Sequence, residues 1–244
     1  MIVSKTGDGD RVGLIAIDRH ERRNALDIDH CDALREALGD LAGGGAQAIV
    51  ITGRGTSFCA GADFGGVYGD GFRTALYAML NTITSLPVPV IAAVNGPAIG
   101  AGTQLAIACD LRVAAPPARF AVPTARNGLA VDPWTTRRLA LLAGGGAARA
   151  LLLGCAELDS DRAHGLGLVD RLGGLDDALA WACEITTLAP LSLRYAKNAI
   201  ESLFEPRPWP ARLDEQFDQC WASEDFAESR RARAEKRAPR FIGR

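Results

Sequence analysis

Residues 89–105 read P-V-I-A-A-V-N-G-P-A-I-G-A-G-T-Q-L, and this stretch decides the fold. Its first part is a short apolar run that ends at Val94 and is followed by the turn-forming residues Asn95 and Gly96. Such a run, bounded by turn residues, is typical of a buried strand. Gly100 opens a second apolar run, for which we expect a buried helix. The predicted order of strand, turn and helix is the repeating unit of an α/β protein.

The whole apolar run from residue 88 to residue 109 also raises the alternative of a membrane-spanning helix. Pro89 and Pro97 interrupt that run, and the polar amides of Asn95 and Gln104 lie inside it. A helix in lipid must satisfy its backbone polar groups internally, so these interruptions argue against a continuous span. We therefore expect no membrane span.

The same alternation of strands and helices recurs along the chain. Apolar or β-branched runs predict strands, and runs with apolar residues three to four positions apart predict helices, with Asp27 as the cap of the first one. The predicted strands are 11–18, 48–52, 89–94 and 111–114, and the predicted helices are 27–39, 72–86 and one that begins at residue 100. This pattern predicts an α/β fold built from stacked β-α units.

The charge balance argues against nucleic acid as the main partner. The chain has 244 residues, a formal net charge of −2 and a pI near 6.0, whereas nucleic-acid-binding domains carry a basic surface. Hydrophobic residues make up 48% of the chain, which is enough for the sizeable core of one large domain.

The cysteines do not form a metal or disulfide pattern. There are six of them, and none belongs to a C-x-x-C pair. We therefore predict buried free thiols, no metal and no disulfide framework. Residues 1–17 have the pattern of a strand with a turn rather than that of a signal peptide, so we expect a cytoplasmic protein.

Another glycine-rich segment, S-F-C-A-G-A-D at residues 57–63 and thus the first of the two in chain order, belongs to a larger set of motifs. The others are R-H-E-R-R-N-A-L at 19–26, G-L-G-L-V at 165–169 and E-K-R-A-P-R-F at 235–241. Together with residues 95–111, these motifs in this order resemble the crotonase (enoyl-CoA hydratase/isomerase) family. The resemblance covers nearly the whole chain and is strongest to a mycobacterial or related actinobacterial subgroup that lacks both hydratase glutamates.

The resemblance implies an α/β fold of the crotonase, or ClpP-like, type, which is a spiral of β-β-α units. In the family a C-terminal helical region follows this spiral and forms trimers, often paired into hexamers. By resemblance, residues 1–190 are expected to form the spiral core with the acyl-CoA site, and residues 191–244 the helical trimerisation region. Phe217, Trp221 and Phe226 are then candidates for burial between subunits.

In this family two backbone N–H groups hold the thioester oxygen of an acyl-CoA and stabilise the negative charge that develops on it. By resemblance these donors are the N–H groups of Ala62 and Ala101, the second of which is usually a glycine. The positions that resemble coenzyme A contacts are Arg22, Arg23, Ala60, Asp63, Lys236 and Phe241. The alternative for the cations and Phe241 is an ordinary surface cation or a core aromatic. No separate cofactor is expected, because coenzyme A is part of the ligand.

The hydratases of the family carry glutamates where this chain has Gln104 and Thr124. Water addition to a C=C bond needs a base and an acid, each worth roughly 10²–10⁴ in rate, and an amide and a hydroxyl supply neither near neutral pH. Asp132 is the acid left in this neighbourhood, and some relatives place a catalytic aspartate at the corresponding site. Trp134 would then belong to the wall of the acyl pocket. The alternative is that Asp132 caps a helix that begins near Trp134.

Two functions remain open from the sequence. One is a fatty acyl-CoA-binding protein of lipid metabolism that presents its ligand without hydrating it efficiently. The other is an active enoyl-CoA hydratase or isomerase that uses Asp132 as its acid/base. The expected partners are a fatty acyl-CoA, further copies of this chain and other fatty-acid enzymes.

Overall fold

A six-stranded sheet forms the centre of this computed structural model, which describes residues 1–7, 11–63, 70–204, 218 and 221–240. In spatial order its strands are β1 (Ile2–Thr6), β2 (Val12–Ile17), β3 (Ala48–Gly53), β4 (Val90–Val94), β6 (Leu111–Ala114) and β9 (Arg171–Leu172). The β1–β2 pair is antiparallel, and the later neighbours in this sheet pair in parallel. A second, three-stranded sheet contains β5 (Pro97–Ile99), β7 (Arg119–Ala121) and β8 (Glu157–Asp159).

Helices connect the strands and cover the sheets. The first four are α1 (Ile28–Gly43), α2 (Asp70–Ser85), α3 (Ala101–Ala108) and α4 (Pro133–Leu152), the last of which is kinked at Gly144. They are followed by α5 (Ser160–Gly165), α6 (Leu175–Ile185), α7 (Pro190–Phe204) and α8 (Glu224–Ala234). Two short 3-10 helices lie at His20–Arg22 and Thr124–Asn127. The chain therefore alternates strands with helices, as the sequence predicts.

The six-stranded sheet separates two apolar cores because its central strands are buried on both faces. Ile49 and Ile51 of β3 belong to the core that contains α1, α2, α3 and α4, whereas Val50 belongs to the core that contains α6. Successive side chains of a strand point to opposite faces, and parallel sheets are covered on both sides. Residues 48–51 are therefore all apolar instead of alternating with polar residues.

The first helix shows how packing sets an element boundary. Asp27 caps α1 as predicted, because its carboxylate accepts a hydrogen bond from the N–H of His30 at 2.9 Å. The helix continues past Gly39 to Gly43, four residues beyond the end that the sequence predicted. Leu41 is buried in the core. Burial of this side chain, worth about 1.5–3 kcal/mol, outweighs the helix penalty of about 1 kcal/mol for a glycine.

Two buried cations hold α7 against the rest of the chain. The guanidinium of Arg138 on α4 donates to both carboxylate oxygens of Glu201 on α7, at 2.6 and 2.8 Å. Lys197 on α7 donates to the carboxylate of Asp110 at 2.9 Å. A buried cation without its partner would be strongly destabilising, so these pairs fix where α7 lies. Helix α7, which begins at the expected start of the C-terminal region, is therefore packed against the part of the chain that precedes it.

The described cysteines agree with the prediction of free thiols. Cys31, Cys59, Cys109 and Cys155 are buried and free. Burial raises the pKa of Cys59 to about 12, so this thiol stays protonated at physiological pH. Within the described residues, no helix combines the length and the apolar character that crossing a bilayer requires.

Candidate functional site

The first glycine-rich segment forms an isolated parallel bridge between Ala62 and Leu26. Leu26 donates its N–H to the carbonyl of Gly61 at 2.8 Å, and Asp63 donates its N–H to the carbonyl of Leu26 at 2.7 Å. In such a bridge the N–H of the residue between the two bonds points away from the partner strand. The N–H of Ala62 is therefore turned away from Leu26, and Ala62 lines a cavity.

The second glycine-rich segment starts α3 with an unusual backbone turn. Gly100 precedes the helix with φ 54° and ψ −113°, and the first helical residue is Ala101. The left-handed conformation thus falls on Gly100, so Ala101 does not need to be a glycine. The first N–H groups of a helix lack intrahelical acceptors, and the helix dipole favours negative charge beside them. Ala101 lines the same cavity as Ala62.

Glycines bring these two segments into direct contact. A Cβ atom at Gly102 would lie 2.1 Å from the carbonyl oxygen of Cys59, and one at Gly61 would lie 2.8 Å from the carbonyl oxygen of Ile99. The N–H of Ile99 donates to the carbonyl of Cys59 at 3.0 Å. No side chain larger than hydrogen fits at these contacts without movement of the backbone. The glycines thus hold two backbone donors on one cavity.

The cavity has a volume of about 120 Å³ and is mostly apolar. Its apolar lining includes Phe72, Leu76, Leu129, Val131, Trp221 and Phe226. Its polar lining side chains are Arg73, Tyr77, Gln104, Thr124 and Asn127. Among the residues that the structure describes, no aspartate or glutamate belongs to this lining. A mostly apolar cavity with a few polar groups is the usual form of a small-molecule site.

The amide of Gln104 is held in a buried hydrogen-bond network. Its nitrogen donates to Asp132 Oδ2 at 3.0 Å and to Thr135 Oγ1 at 2.8 Å. Asp132 is the N-cap of α4, and its carboxylate also accepts from the N–H and the hydroxyl of Thr135, at 3.0 and 2.5 Å. A carboxylate only accepts hydrogen bonds, so the network fixes which end of the amide faces Asp132. The helix-capping alternative for Asp132 is therefore present in the structure.

Tyr77 links this network to the cavity. It lines the cavity from α2 and lies close enough to Asp132 and Gln104 for both to influence its pKa. Burial, together with the charge of the nearby Asp132, raises the pKa of Tyr77 well above its usual range. The phenol is therefore neutral at physiological pH and serves as a hydrogen-bonding group. The sequence analysis missed Tyr77, because the helical pattern of 72–86 marks it only as one position on a packed face.

Trp221 and Phe226 lie at the cavity, a position that the sequence analysis did not predict. Their rings pack edge to face with centroids 5.7 Å apart, and the guanidinium of Arg73 lies 4.6 Å from the centroid of Trp221. The sequence analysis named both as candidates for burial between subunits, which stays a prediction, and within the single chain they line the cavity. The reason is that α8 packs against the 3-10 helix Thr124–Asn127 of the same chain. Phe217 lies outside the described residues.

A family profile described as Enoyl-CoA hydratase/isomerase matches residues 7–244. This chain belongs to the enoyl-CoA hydratase/isomerase family. It is 46% identical over 232 residues to the "Probable enoyl-CoA hydratase echA6" of Mycobacterium tuberculosis, which covers 94% of this chain and 95% of that protein. It is 33% identical over 245 residues to the "Probable enoyl-CoA hydratase echA8" of the same organism, with 96% and 95% covered. The predicted family is confirmed.

Solved structures of the enoyl-CoA hydratase/isomerase type share the fold. An enoyl-CoA hydratase/isomerase from Pseudoalteromonas atlantica superimposes with a TM-score of 0.84 at 30% identity, with 99% of both chains covered. A methylmalonyl-CoA decarboxylase in complex with 2-nitronate-propionyl-CoA gives a TM-score of 0.91 at 24% identity, over 100% of this chain and 99% of that one. The second likeness supports the fold alone. The predicted crotonase type of α/β fold is confirmed.

The positions that resemble coenzyme A contacts are spread over two regions of this family member. Arg22 and Arg23 are exposed at the 3-10 helix His20–Arg22, and Ala60 lines the cavity. Asp63 forms an ion pair with Arg19 at 2.8 Å. Lys236 is exposed beyond the end of α8, and Phe241 lies outside the described residues. The exposed cations stay predictions, whereas the carboxylate of Asp63 already has a partner within the chain.

Trp134 packs on a buried cation beside the family site. Its ring lies 4.9 Å from the guanidinium of Arg138, which also lies 4.3 Å from the ring of Phe204. In the described part of the chain, the cavity lining does not include Trp134. Trp134 lies in the first turn of α4, two residues after Asp132, and its ring is directed to the contact between α4 and α7. Its predicted role in an acyl pocket therefore has no support from this cavity.

Proposed function

We propose that this protein binds fatty acyl-CoA thioesters and does not hydrate them efficiently. The thioester oxygen would accept hydrogen bonds from the N–H groups of Ala62 and Ala101, which the glycine contacts hold beside one cavity. The observation that carries the second half is that no described carboxylate lines this cavity. Coenzyme A would enter as part of the ligand.

The polar groups at the cavity support binding more than water addition. Removal of one oxyanion donor typically costs roughly 10²–10³ in rate, so two fixed donors are a strong site for a developing negative charge. Hydration needs proton transfer in addition, worth roughly 10²–10⁴ per positioned group. The nitrogen of Gln104 is committed to Asp132 and Thr135, and Thr124 offers only a hydroxyl. Affinity is therefore retained while the rate of hydration is low.

The apolar part of the lining supports a fatty acyl group. Phe72, Leu76, Leu129, Trp221 and Phe226 offer no group that would hydrogen-bond a short polar acyl chain. Each methylene transferred from water to such a surface contributes about 0.8 kcal/mol. The names of the similar mycobacterial proteins contain enoyl-CoA hydratase, which agrees with an acyl-CoA ligand. We place the protein in fatty-acid metabolism on this basis.

Binding and turnover measured on one sample test the proposal. Isothermal titration calorimetry with octanoyl-CoA should give binding in the micromolar range, about −8 kcal/mol. Loss of the enoyl absorbance of crotonyl-CoA should show little or no hydration by the same preparation. Absence of acyl-CoA binding would contradict the first half of the proposal, and rapid hydration would contradict the second.

A second candidate function is an enzyme that uses Asp132. The observation in its favour is that Asp132 lies close to Tyr77, a residue of the cavity wall, so that one side chain separates the carboxylate from the cavity. If turnover is found, Asp132→Asn should lower it by roughly 10²–10⁴ and leave the cap of α4 nearly intact, because asparagine is an equally good cap. Unchanged turnover would rule out this role.

A further inference from the structure

We infer that Trp221 is the end wall of the acyl site and determines how long an acyl group it accepts. The inference rests on the proposed function. It starts from the finding that Trp221 and Phe226, which come from the C-terminal part of the chain, line the same cavity as Ala62 and Ala101. These aromatic rings form an edge-to-face pair with centroids 5.7 Å apart, so they act as one surface.

Helix α2 contacts both Trp221 and the polar network around Gln104. Tyr77 lies near Gln104, which follows Ala101 by about one helical turn on α3. Arg73 lies one turn before Tyr77 on α2, and its guanidinium lies 4.6 Å from the centroid of Trp221. Four helical residues rise by about 6 Å. Trp221 therefore contacts α2 about one helical turn before the residue that lies beside the polar network.

The start of α8 is anchored tightly enough to serve as a wall. Ser223 caps the helix by accepting a hydrogen bond from the N–H of Phe226 at 3.0 Å. A Cβ atom at Gly128 would lie 2.8 Å from the carbonyl oxygen of Asp225, so the loop after the 3-10 helix Thr124–Asn127 touches the backbone of α8 directly. The stacked guanidinium of Arg73 then fixes the indole ring itself.

The other end of α8 is also tied to the chain. Glu228 accepts hydrogen bonds from Arg237 and from the N–H of Arg240, and it pairs with Arg231 at 3.2 Å. These donors hold the pKa of Glu228 down to about 2. Arg233 donates to Asn127 at 3.2 Å. Helix α8, which follows Trp221 in the chain, is thus anchored at both of its ends.

A fixed wall predicts a break in the dependence of affinity on chain length. Up to the wall, each further methylene buried should tighten binding by about fourfold. Beyond it, further methylenes stay outside or must displace the indole, so the gain per methylene stops. Replacement of Trp221 by alanine removes the wall, and the gain should continue to longer chains.

The test is calorimetry with butyryl-, octanoyl-, dodecanoyl- and hexadecanoyl-CoA on four proteins. These are the wild type, Trp221→Ala, the conservative Trp221→Phe, and the control Trp181→Ala. Trp181 is a suitable control because it also carries a stacked arginine: the guanidinium of Arg171 lies 3.9 Å from the centroid of its ring. Trp181 belongs to α6, which packs on the other side of the sheet. The readout is the chain length at which affinity stops rising, which a general loss of stability does not move.

We expect the break to shift to a longer chain in Trp221→Ala, with at least a tenfold gain for the first chain beyond the wild-type break. Trp221→Phe should give a smaller shift, and Trp181→Ala none. If Trp221→Ala does not fold, the shift of the break in Trp221→Phe tests the role of Trp221 instead. An unchanged break in the Trp221 variants would overturn the role of Trp221 while leaving acyl-CoA binding intact. Lack of binding by the wild type to every chain length would overturn the proposed function.

Discussion

Gln104 shows how a single side chain changes what a site can do while it keeps the same hydrogen bonds. Its amide nitrogen lies 3.0 Å from Asp132 Oδ2, and it can donate there only because it is an amide. A glutamate in this place would put two carboxylates in contact. Like charges at such a distance cannot both ionise, so one carboxyl would have a strongly raised pKa. Gln104 is therefore matched to Asp132.

This pairing makes a prediction about Gln104→Glu. The variant should lose about 1–3 kcal/mol of unfolding free energy at pH 7, because a buried donor is replaced by a second acceptor. A carboxyl whose folded pKa is raised makes the protein less stable as pH rises from the unfolded value of about 4.3 to the folded value. The loss should thus be small at pH 4 and large at pH 7, as measured by urea unfolding.

The matched control is the double variant Gln104→Glu with Asp132→Asn, in which amide and carboxylate exchange places. It should recover most of the lost stability at pH 7, since donor and acceptor face each other again. Equal stability of the single and double variants would show that the contact between these two side chains does not govern the network.

At the level of single residues, the sequence predicted the roles that leave a local pattern. Asp27 as a cap follows from its place before an apolar helical run, and the structure confirms it. Asp132 as a cap was an open alternative for the same reason. Tyr77 and Arg73 could not be assigned to the cavity, because what they contact lies on α3, α4 and the C-terminal segment. Those neighbours are set by the fold, and the pattern of α2 does not show them.

At the level of elements, the contact between the two glycine-rich segments is the part of the site that tolerates the least change. Gly102→Ala places a methyl group 2.1 Å from the carbonyl oxygen of Cys59, so α3 must move away from the first segment. The two backbone donors would separate, and octanoyl-CoA affinity should fall at least tenfold by calorimetry.

Gly146→Ala is the matched control for this substitution. Gly146 lies on α4, where an added Cβ atom meets no other atom within 4 Å, and alanine there should raise stability by about 0.4–1 kcal/mol. Its acyl-CoA affinity should equal that of the wild type. Equal affinity of the Gly102 and Gly146 variants would contradict the role of the glycine contact.

At the level of the whole molecule, α7 carries apolar side chains that the single chain leaves exposed. Leu191, Tyr195 and Leu203 are 70%, 76% and 67% exposed. Large exposed apolar side chains on one helix are typical of a surface that binds another protein. We predict trimers or hexamers, which light scattering at micromolar concentration would detect as three or six chain masses. A stable monomer would contradict this prediction.

The sequence predicted most of the sheet but not the contact of the C-terminal aromatic residues with the cavity. The strands 48–52 and 89–94 were predictable because a buried parallel strand is read as a nearly continuous apolar run, and 111–114 shows the same pattern apart from Arg112. Trp221 and Phe226 were read as subunit contacts because an aromatic residue on a polar helix signals burial without identifying the partner. Only the packing of α8 on the 3-10 helix Thr124–Asn127 shows that they face the cavity of their own chain.

The most direct test of the account is a crystal structure of the protein mixed with crotonyl-CoA. We predict an intact enoyl thioester in the cavity, with its carbonyl oxygen within hydrogen-bond distance, about 2.7–3.1 Å, of the backbone nitrogens of Ala62 and Ala101. A hydrated acyl chain would contradict the claim that the site binds without efficient hydration. A carbonyl oxygen remote from both nitrogens would contradict the claim that the glycine-rich segments form the site.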